Sequence, residues 1–581
     1  MTNFDTLRVR VGRRPVTVVE LDLDFCTNVY GVAPCAAAVG FTGTQKCFNT
    51  YPTCQDTAHY AKGLKTYRFA SESSFLPIGE TIFPCITDID LAPVQIDTKG
   101  FAVSGSVSVE LRDFPYHDRG IDPYVGERTY DPSERGTFFG KLRGRNKYAE
   151  NRVMRIKEGY VDDDRTIYSR TRTYFIDRIE GPDANGRVRI FGKDALRFAD
   201  AEKAKAPAVS KGVLSAKLPG DASVLTLVPA GVGSGYPASG TVRVNDEIIT
   251  YDTKSGDILM GLGRAAEGTE SDEHDAGDTV QLCVRYEDKG IPTILYDLFV
   301  TYAGLDPQYI PLAEWEDEAV TWLGSFVPSV LLSKPTGVKE LLKEIIEGAG
   351  FALWWDDIGA QIKFKAIVRP LPGALPPMLN EMEHFLAGSI TVKDLPKERT
   401  SQVAMYFLPT GRTVDLKAEN FRAVSLQVDA TGEGEDAYGT SNARTILNRW
   451  VPSLQIADEV GLRLLRRYRE TPRQITVDLD AKDATLRTGQ LVDISSRLVQ
   501  AEDGAPRLIR CLVTECSPSK QGSHYSYTLL QVADTEGVAR LIAPDATPDW
   551  PFATTEQRNT YMFISNDAGL MSDGSAGPSI T

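Results

Sequence analysis

DFCTNVYGVAPCAAAVGFTGTQKCFNTYPTCQD, residues 24–56, holds Cys26, Cys35, Cys47 and Cys54, half of the chain's 8 cysteines. Spacers of 8, 11 and 6 residues separate them. Cys85, Cys283, Cys511 and Cys516 are scattered through the rest. Clustered thiols at such spacings make either two disulfides or one metal centre. Disulfides need an oxidising compartment. The preceding MTNFDTLRVRVGRRPVTVVELDLDF has no apolar signal run with a small-residue cleavage site; it alternates apolar and polar residues, as a strand does. Structural zinc sites favour close C-x-x-C-type knuckles, and no histidine lies between these cysteines to complete a mixed site. An iron–sulfur cluster is larger than one ion and takes thiolates from widely spaced loop positions. Phe25, Tyr30, Phe41, Phe48 and Tyr51 supply apolar surface to keep water off such a cluster, and Pro34 and Pro52 stiffen the approach to a cysteine. The residue types favour iron–sulfur over zinc, and zinc over disulfides.

Alternation continues on both sides of this segment. Residues 8–24 read as strand, and FAVSGSVSVELRDF (101–114) alternates again. MRIKEGYV, RTYFIDRIEG and RVRIFGK predict three strands between 153 and 193, with DANG at 183–186 as a hairpin turn. ALRFADAEKAKAP predicts a short helix ending before Pro207. Residues 1–200 therefore read as one β-barrel or sandwich interrupted by the cysteine loop.

CTNVYGVAPC followed by CFNTYPTCQDTAHYAKG resembles the cysteine segment of siphophage tail-tip hub proteins: the lambda tail-tip protein L family and the hubs of gene transfer agents. LRDFPYHDRGIDPY, GTFFGKLRGRNKY and TYFIDRIEGPDANGRVRIFGKDALRFAD extend the resemblance over roughly residues 1–200, with a looser likeness over 390–535. In lambda protein L the cysteines come late in the chain; here they come first. The resemblance implies a 4Fe-4S cluster on Cys26, Cys35, Cys47 and Cys54, with zinc as the alternative metal. It also implies tail-tube-like β-barrels and a homotrimeric ring in the virion's tail tip, assembled in the host bacterial cytoplasm. Its neighbours would be a distal tail protein, a tape-measure protein and a central fibre, with genomic DNA passing through transiently.

The fold class expected is multidomain and mainly β with α+β parts. Residues 1–204 form a tube-like barrel with the cluster loop 24–65 inserted, and 205–290 a small β insert. Residues 291–390 form an α+β domain, 391–535 a second tube-like barrel, and 536–581 a C-terminal extension. In the third span TGVKELLKEIIEGAGF predicts a helix with Val338, Leu341, Leu342, Ile345 and Ile346 on one face, Thr336 as its cap and Gly348 as its end. FALWWDD and QIKFKAI predict a hairpin that buries Trp354 or Trp355, and LPGALPP (371–377) marks a boundary. In the fourth span IADEVGLRLLRRYRE predicts a helix burying Val460, Leu464, Leu465 and Tyr468. In the extension, Trp550, Pro551 and Phe552 offer an apolar anchor and TYMFIS (560–565) a strand for a neighbouring protein.

Lys plus Arg number 64 and Asp plus Glu 79, a net charge of -15, which argues against a nucleic-acid surface as the main feature. No apolar run is long enough for a membrane span. No H-E-x-x-H, G-x-S-x-G or Walker sequence occurs, and the glycines of GVGSGY (231–236) read as a plain loop. The acidic runs VDDD (161–164) and DEHDAGD (272–278) lack calcium-loop spacing and read as solvated loops. The four scattered cysteines read as small buried strand residues. The expectation is a structural protein and not an enzyme. The alternatives are a redox iron–sulfur enzyme and a secreted disulfide-bonded adhesin.

Overall fold

The computed structural model describes residues 3–37, 47–71, 76–77, 79–97, 100, 102–128, 131–323, 326–366, 376–520, 522–532 and 554. The expected tail docking of 536–581, and most of the 371–377 boundary, lie outside the described residues. The chain is mainly β, in several sheets with separate cores.

The first sheet has eight strands in the order Ile82–Phe83, Lys62–Ala70, Pro15–Cys26, Val153–Val161, Ile167–Glu180, Arg187–Lys193, Ser106–Arg112 and Ile86–Ala92. Its two end strands are consecutive in the chain, so the sheet is nearly closed and barrel-like. In PVTVVELDLDFC the period of two sends Val19, Leu21 and Leu23 into the core with Phe69, Val109 and Ile190. Glu20 and Asp22 take the other face, where Arg68, Arg155 and Lys157 on the flanking strands neutralise them. The helix Phe138–Arg145 plugs this core with Phe138 and Phe139, both fully buried. Pro15–Cys26 and Lys62–Ala70 pair antiparallel with Cys26 opposite Lys62, so residues 27–61 are the connection of one long hairpin.

Two expectations near this sheet fail. Residues 3–8 form a helix: only Leu7 is buried, Val11 is 99% exposed, and Asp5 pairs with Arg8 one turn on. ALRFADAEKAKAP yields only the short turn Ala195–Phe198, because the buried Asp194 carboxylate caps Leu196 N–H and Lys205–Ala206 leaves to pair with Thr336–Gly337. That same pairing holds Thr336 in a strand, so it does not cap the following helix.

The β insert is a six-stranded sheet in the order Val213–Leu214, Val224–Val228, Ile258–Ala266, Glu247–Ser255, Gly240–Val244 and Val280–Leu282. A bridge between Val213 and Thr279 joins its two ends.

The largest core is central. The helix Val338–Ala349 buries all five predicted residues, and Trp354 and Trp355 of the hairpin Phe351–Asp356/Gln361–Ala366 lie beside it. The helix ends at Gly350, whose φ of +68° is the left-handed cap, two residues beyond the expected Gly348. Gly348 serves a different need: a Cβ there would stand 2.2 Å from Asn448 Nδ2. The helix Leu454–Tyr468 also joins this core, against the sheet Phe421–Val428, Gln402–Pro409, Ala443–Leu447. Residues 391–535 thus supply two cores. The second lies in the sheet Met378–Asn380, Leu491–Gln500, Pro506–Lys520, His524–Gln531, Arg473–Asp480, Thr391–Asp394.

Polar joints fasten the bodies together. Arg13 grips Asp480 with two hydrogen bonds of 3.1 and 2.8 Å, and Tyr160 OH donates to Gly522 O at 2.9 Å, tying the first sheet to the last. Arg172 Nη1 and Tyr174 OH donate to Asp357 Oδ2 at 2.7 and 3.0 Å, tying it to the central hairpin.

Candidate metal centre

The hairpin connection brings the four predicted cysteines to one place. Cys26 closes the strand Pro15–Cys26; Cys35 follows a turn in which its N–H donates to Val32 O at 2.9 Å. Cys54 ends the short turn Tyr51–Thr53, its N–H donating to Tyr51 O at 3.1 Å with Pro52 at the second position of the turn. All four are free thiols, and together with Tyr30 and Asn49 they line one hollow.

Asn49 joins the two ends of the connection. It is 5% exposed and takes the left-handed conformation, φ +57°. Its carbonyl accepts from Cys26 N–H at 2.7 Å, and its Nδ2 donates to Cys26 O at 3.1 Å and Asn28 O at 3.3 Å. Its own N–H donates to Cys47 Sγ at 3.5 Å. Asp56 Oδ2 accepts from Ala36 N–H at 2.7 Å and also meets His59, which anchors the Cys35 turn.

A distant segment holds the loop from outside. Arg128 lies bidentate on the buried Asp122, at 2.8 and 2.9 Å, and donates to Cys47 O at 2.7 Å. Arg145 is fixed by the buried Asp118 at 2.9 Å. The two guanidiniums lie 4.2 and 4.0 Å from the centre of the Phe48 ring, next to Cys47. Tyr30 N–H donates to Tyr124 OH at 2.7 Å. LRDFPYHDRGIDPY and GTFFGKLRGRNKY therefore back the cysteine loop. The sequence reading named these stretches but assigned none of their residues to the site.

Burial pushes the Cys47 thiol up; the Asn49 N–H offsets part of this, and Cys54, Cys26 and Cys35 push it further up. Burial, then Cys26 and Cys35, raise Cys54 despite the opposing Asp56 amide. Four thiolates cannot share this hollow without a cation, so loading would expel protons and tie the loop's order to the bound group. By residue type the donor set suits thiophilic metal, although the four thiols as placed are not gathered tightly enough to hold a single ion. Buried without a partner among the described residues, Tyr60 OH and Arg145 Nη1 are spare donors around this loop. No group of three or more His, Cys, Asp or Glu is arranged as a metal-ion site among the described residues.

The other cysteines, Cys85, Cys283, Cys511 and Cys516, are buried in or beside strands, and burial raises each thiol. Gly231 and Gly233 N–H of GVGSGY both donate to Asp257 at 2.7 Å, so a carboxylate of the chain itself occupies that loop. VDDD lies at an exposed hairpin turn beside Arg10. DEHDAGD departs from the expected solvated loop: His274 is 3% exposed, and its Nε2 is 2.8 Å from Glu247 Oε2, which Arg264 Nη2 also meets at 2.7 Å. The partner, Glu247, opens the strand Glu247–Ser255, outside the acidic run. No described helix is long and apolar enough to cross a membrane.

No protein-family model and no curated protein matches the chain. Among solved structures it is similar to a tail protein from Neisseria meningitidis MC58, at 9% identity over 76% of this chain and 91% of that one, with a TM-score of 0.37. It is similar to a 43 kDa tail protein of prophage MuSo2 from Shewanella oneidensis, at 9% identity over 76% and 94%, TM-score 0.33. It is also similar to a chain of a native gene transfer agent virion, at 10% identity over 58% and 92%, TM-score 0.31. Likenesses this distant carry no inference about function.

Proposed function

We propose that the chain is a structural component of a phage-type tail, the hub of the tail tip, with Cys26, Cys35, Cys47 and Cys54 holding a structural 4Fe-4S cluster. The observation that carries this reading is the convergence of those four free thiols on one hollow. They are the residues on which the tail-hub resemblance rests. Thiolates from loop positions spaced by 8, 11 and 6 residues suit a multi-iron group better than one zinc ion, for which closer cysteine knuckles are usual. When bound, the cluster would supply cross-linking of a loop with little regular structure. The protein's residues do the rest: Asn49 joins Cys47 to Cys26, Arg128 and Arg145 hold Phe48, and Asp56 anchors the Cys35 turn.

The barrel-like first sheet and the last six-stranded sheet are the proposed ring-forming parts. With both in each chain, a homotrimer would present a six-lobed ring to a six-fold tube and join it to a narrower central fibre. The distal tail protein and tape-measure protein are its proposed neighbours, and DNA would pass through its lumen. Electron microscopy of the anaerobically purified chain, alone and with a distal tail protein, tests this. Three-fold rings are expected; a monomer that fails to associate at any concentration or with that protein refutes the hub reading.

A further inference from the structure

The cysteine loop contains one residue whose contacts reach two of the four thiol positions at once. Asn49 receives Cys26 N–H on its carbonyl, gives its carboxamide N–H groups to Cys26 O and Asn28 O, and gives its backbone N–H to Cys47 Sγ. Three of these contacts reach back across 21 to 23 residues of sequence, and the fourth reaches two residues back to Cys47. The left-handed φ of +57° is what makes them simultaneous: it turns the Asn49 N–H toward its neighbour's sulfur while the carbonyl faces the end of the strand. Asn is one of the few residues with a side chain that tolerates this conformation.

We infer that Asn49 is the positioning residue of the cysteine centre, presetting the separation of Cys26 and Cys47 and supplying an N–H···S hydrogen bond to the Cys47 sulfur. This rests on the metal-centre reading above. Two consequences differ from those of an ordinary buried asparagine. The carboxamide governs how fast the bound iron is lost, since outer residues that orient ligands change metal affinity by about 10- to 100-fold. The backbone N–H governs the electronics, because hydrogen bonds to sulfur help set a cluster's reduction potential.

Asn49→Asp keeps the shape, removes both carboxamide donors and places a carboxylate against the carbonyls of Cys26 and Asn28. Asn49→Gly keeps the left-handed backbone and its N–H but removes the carboxamide; Asn49→Ala removes the carboxamide and strains the backbone. The full-length variants are purified anaerobically, and release of iron to a ferrous chelator and the reduction potential are measured.

Asn49→Asp is expected to release iron at least about tenfold faster than the wild type and to have a lower potential. Asn49→Gly is expected to release iron faster at a nearly unchanged potential, and Asn49→Ala faster than Asn49→Gly. Release at the wild-type rate in Asn49→Asp and Asn49→Gly overturns the inference. If Asn49→Asp does not fold, Asn49→Gly decides, and release from it at the wild-type rate overturns the inference. A wild-type chain without iron or inorganic sulfide overturns the iron–sulfur reading itself, a result distinct from iron-loaded variants that match the wild type.

Discussion

Replacing Asp357 with asparagine tests the joint between the first sheet and the central core. Asp357 sits in the turn of the hairpin Phe351–Asp356/Gln361–Ala366 and reaches into the first sheet. Its Oδ2 accepts from Arg172 and Tyr174, while its carbonyl accepts from Thr173 N–H at 2.8 Å. Trp355 Nε1 donates to Thr173 O at 3.0 Å beside it. The Arg172 side chain is only 4% exposed. Burial pulls its guanidinium down in pKa, and Asp357 and Glu158 more than offset this, so it stays charged.

Neutralising one anion leaves Arg172 with Glu158 alone, at 3.3 Å. Breaking a buried ion pair costs about 3–5 kcal/mol; the retained Glu158 and the retained amide shape place this case near 3 kcal/mol. That corresponds to about a hundredfold increase in opening of the joint. Hydrogen exchange at the Thr173 and 351–366 amides reads it directly. Protection there should fall about a hundredfold, with little change in the β insert. Removing every charge of the cluster, in Glu158→Gln/Arg172→Met/Asp357→Asn, should restore most of the protection, because no buried charge is then left unpaired. Wild-type protection in Asp357→Asn would refute the reasoning.

Three further outcomes follow from the same geometry. Burial pushes the Glu247 carboxyl up, but Arg264, the Ala265 amide, His274 and the Asp272 amide outweigh it and bring it to about 2, against an ordinary 4.5. A depressed folded-state pKa stabilises above the ordinary value and is lost as pH falls toward the folded one, so pepsin should cut within 213–282 increasingly as pH falls from 4.5 toward 2. Glu247→Gln should be cut readily across that whole range; an insert equally resistant at both ends contradicts this. Arg128→Gln removes the anchor on Cys47 O and half of the support of Phe48, and should speed iron release about tenfold, with Arg128→Lys intermediate. Gly489 has φ +86° and would place a Cβ 2.1 Å from Trp354 Cζ2, so Gly489→Ala should cost about 1–3 kcal/mol and shift tryptophan emission; an unchanged denaturation midpoint contradicts it.

Elements whose signal is local were legible in the sequence. The Val338–Ala349 helix carries its apolar face within twelve residues, and the strands around DANG carry both their alternation and their turn. The four cysteines announce themselves by clustering. What stayed hidden depends on partners far along the chain. Thr336 looks like a helix cap until Lys205–Ala206 claims it for a strand. His274 looks solvated until Glu247, 27 residues earlier, is folded against it. Nothing local ties Arg128 and Asp122 to the cysteines until the fold sets them behind Cys47, 81 residues away from Arg128. Leu7, Val9 and Val11 alternate as a strand would, but only Leu7 finds a core to enter. Asn49 was legible in principle: an asparagine two residues after one cysteine and five before the next is a candidate left-handed turn.

The most direct test is the iron, zinc and acid-labile sulfide content of the full chain, purified anaerobically beside Cys35→Ser. The account predicts about four irons and about four sulfides per wild-type chain, with iron lost from the variant while the sheet of 473–531 stays folded. Stoichiometric zinc without sulfide would contradict the cluster. Disulfides among Cys26, Cys35, Cys47 and Cys54 after expression under reducing conditions would contradict a metal centre of any kind.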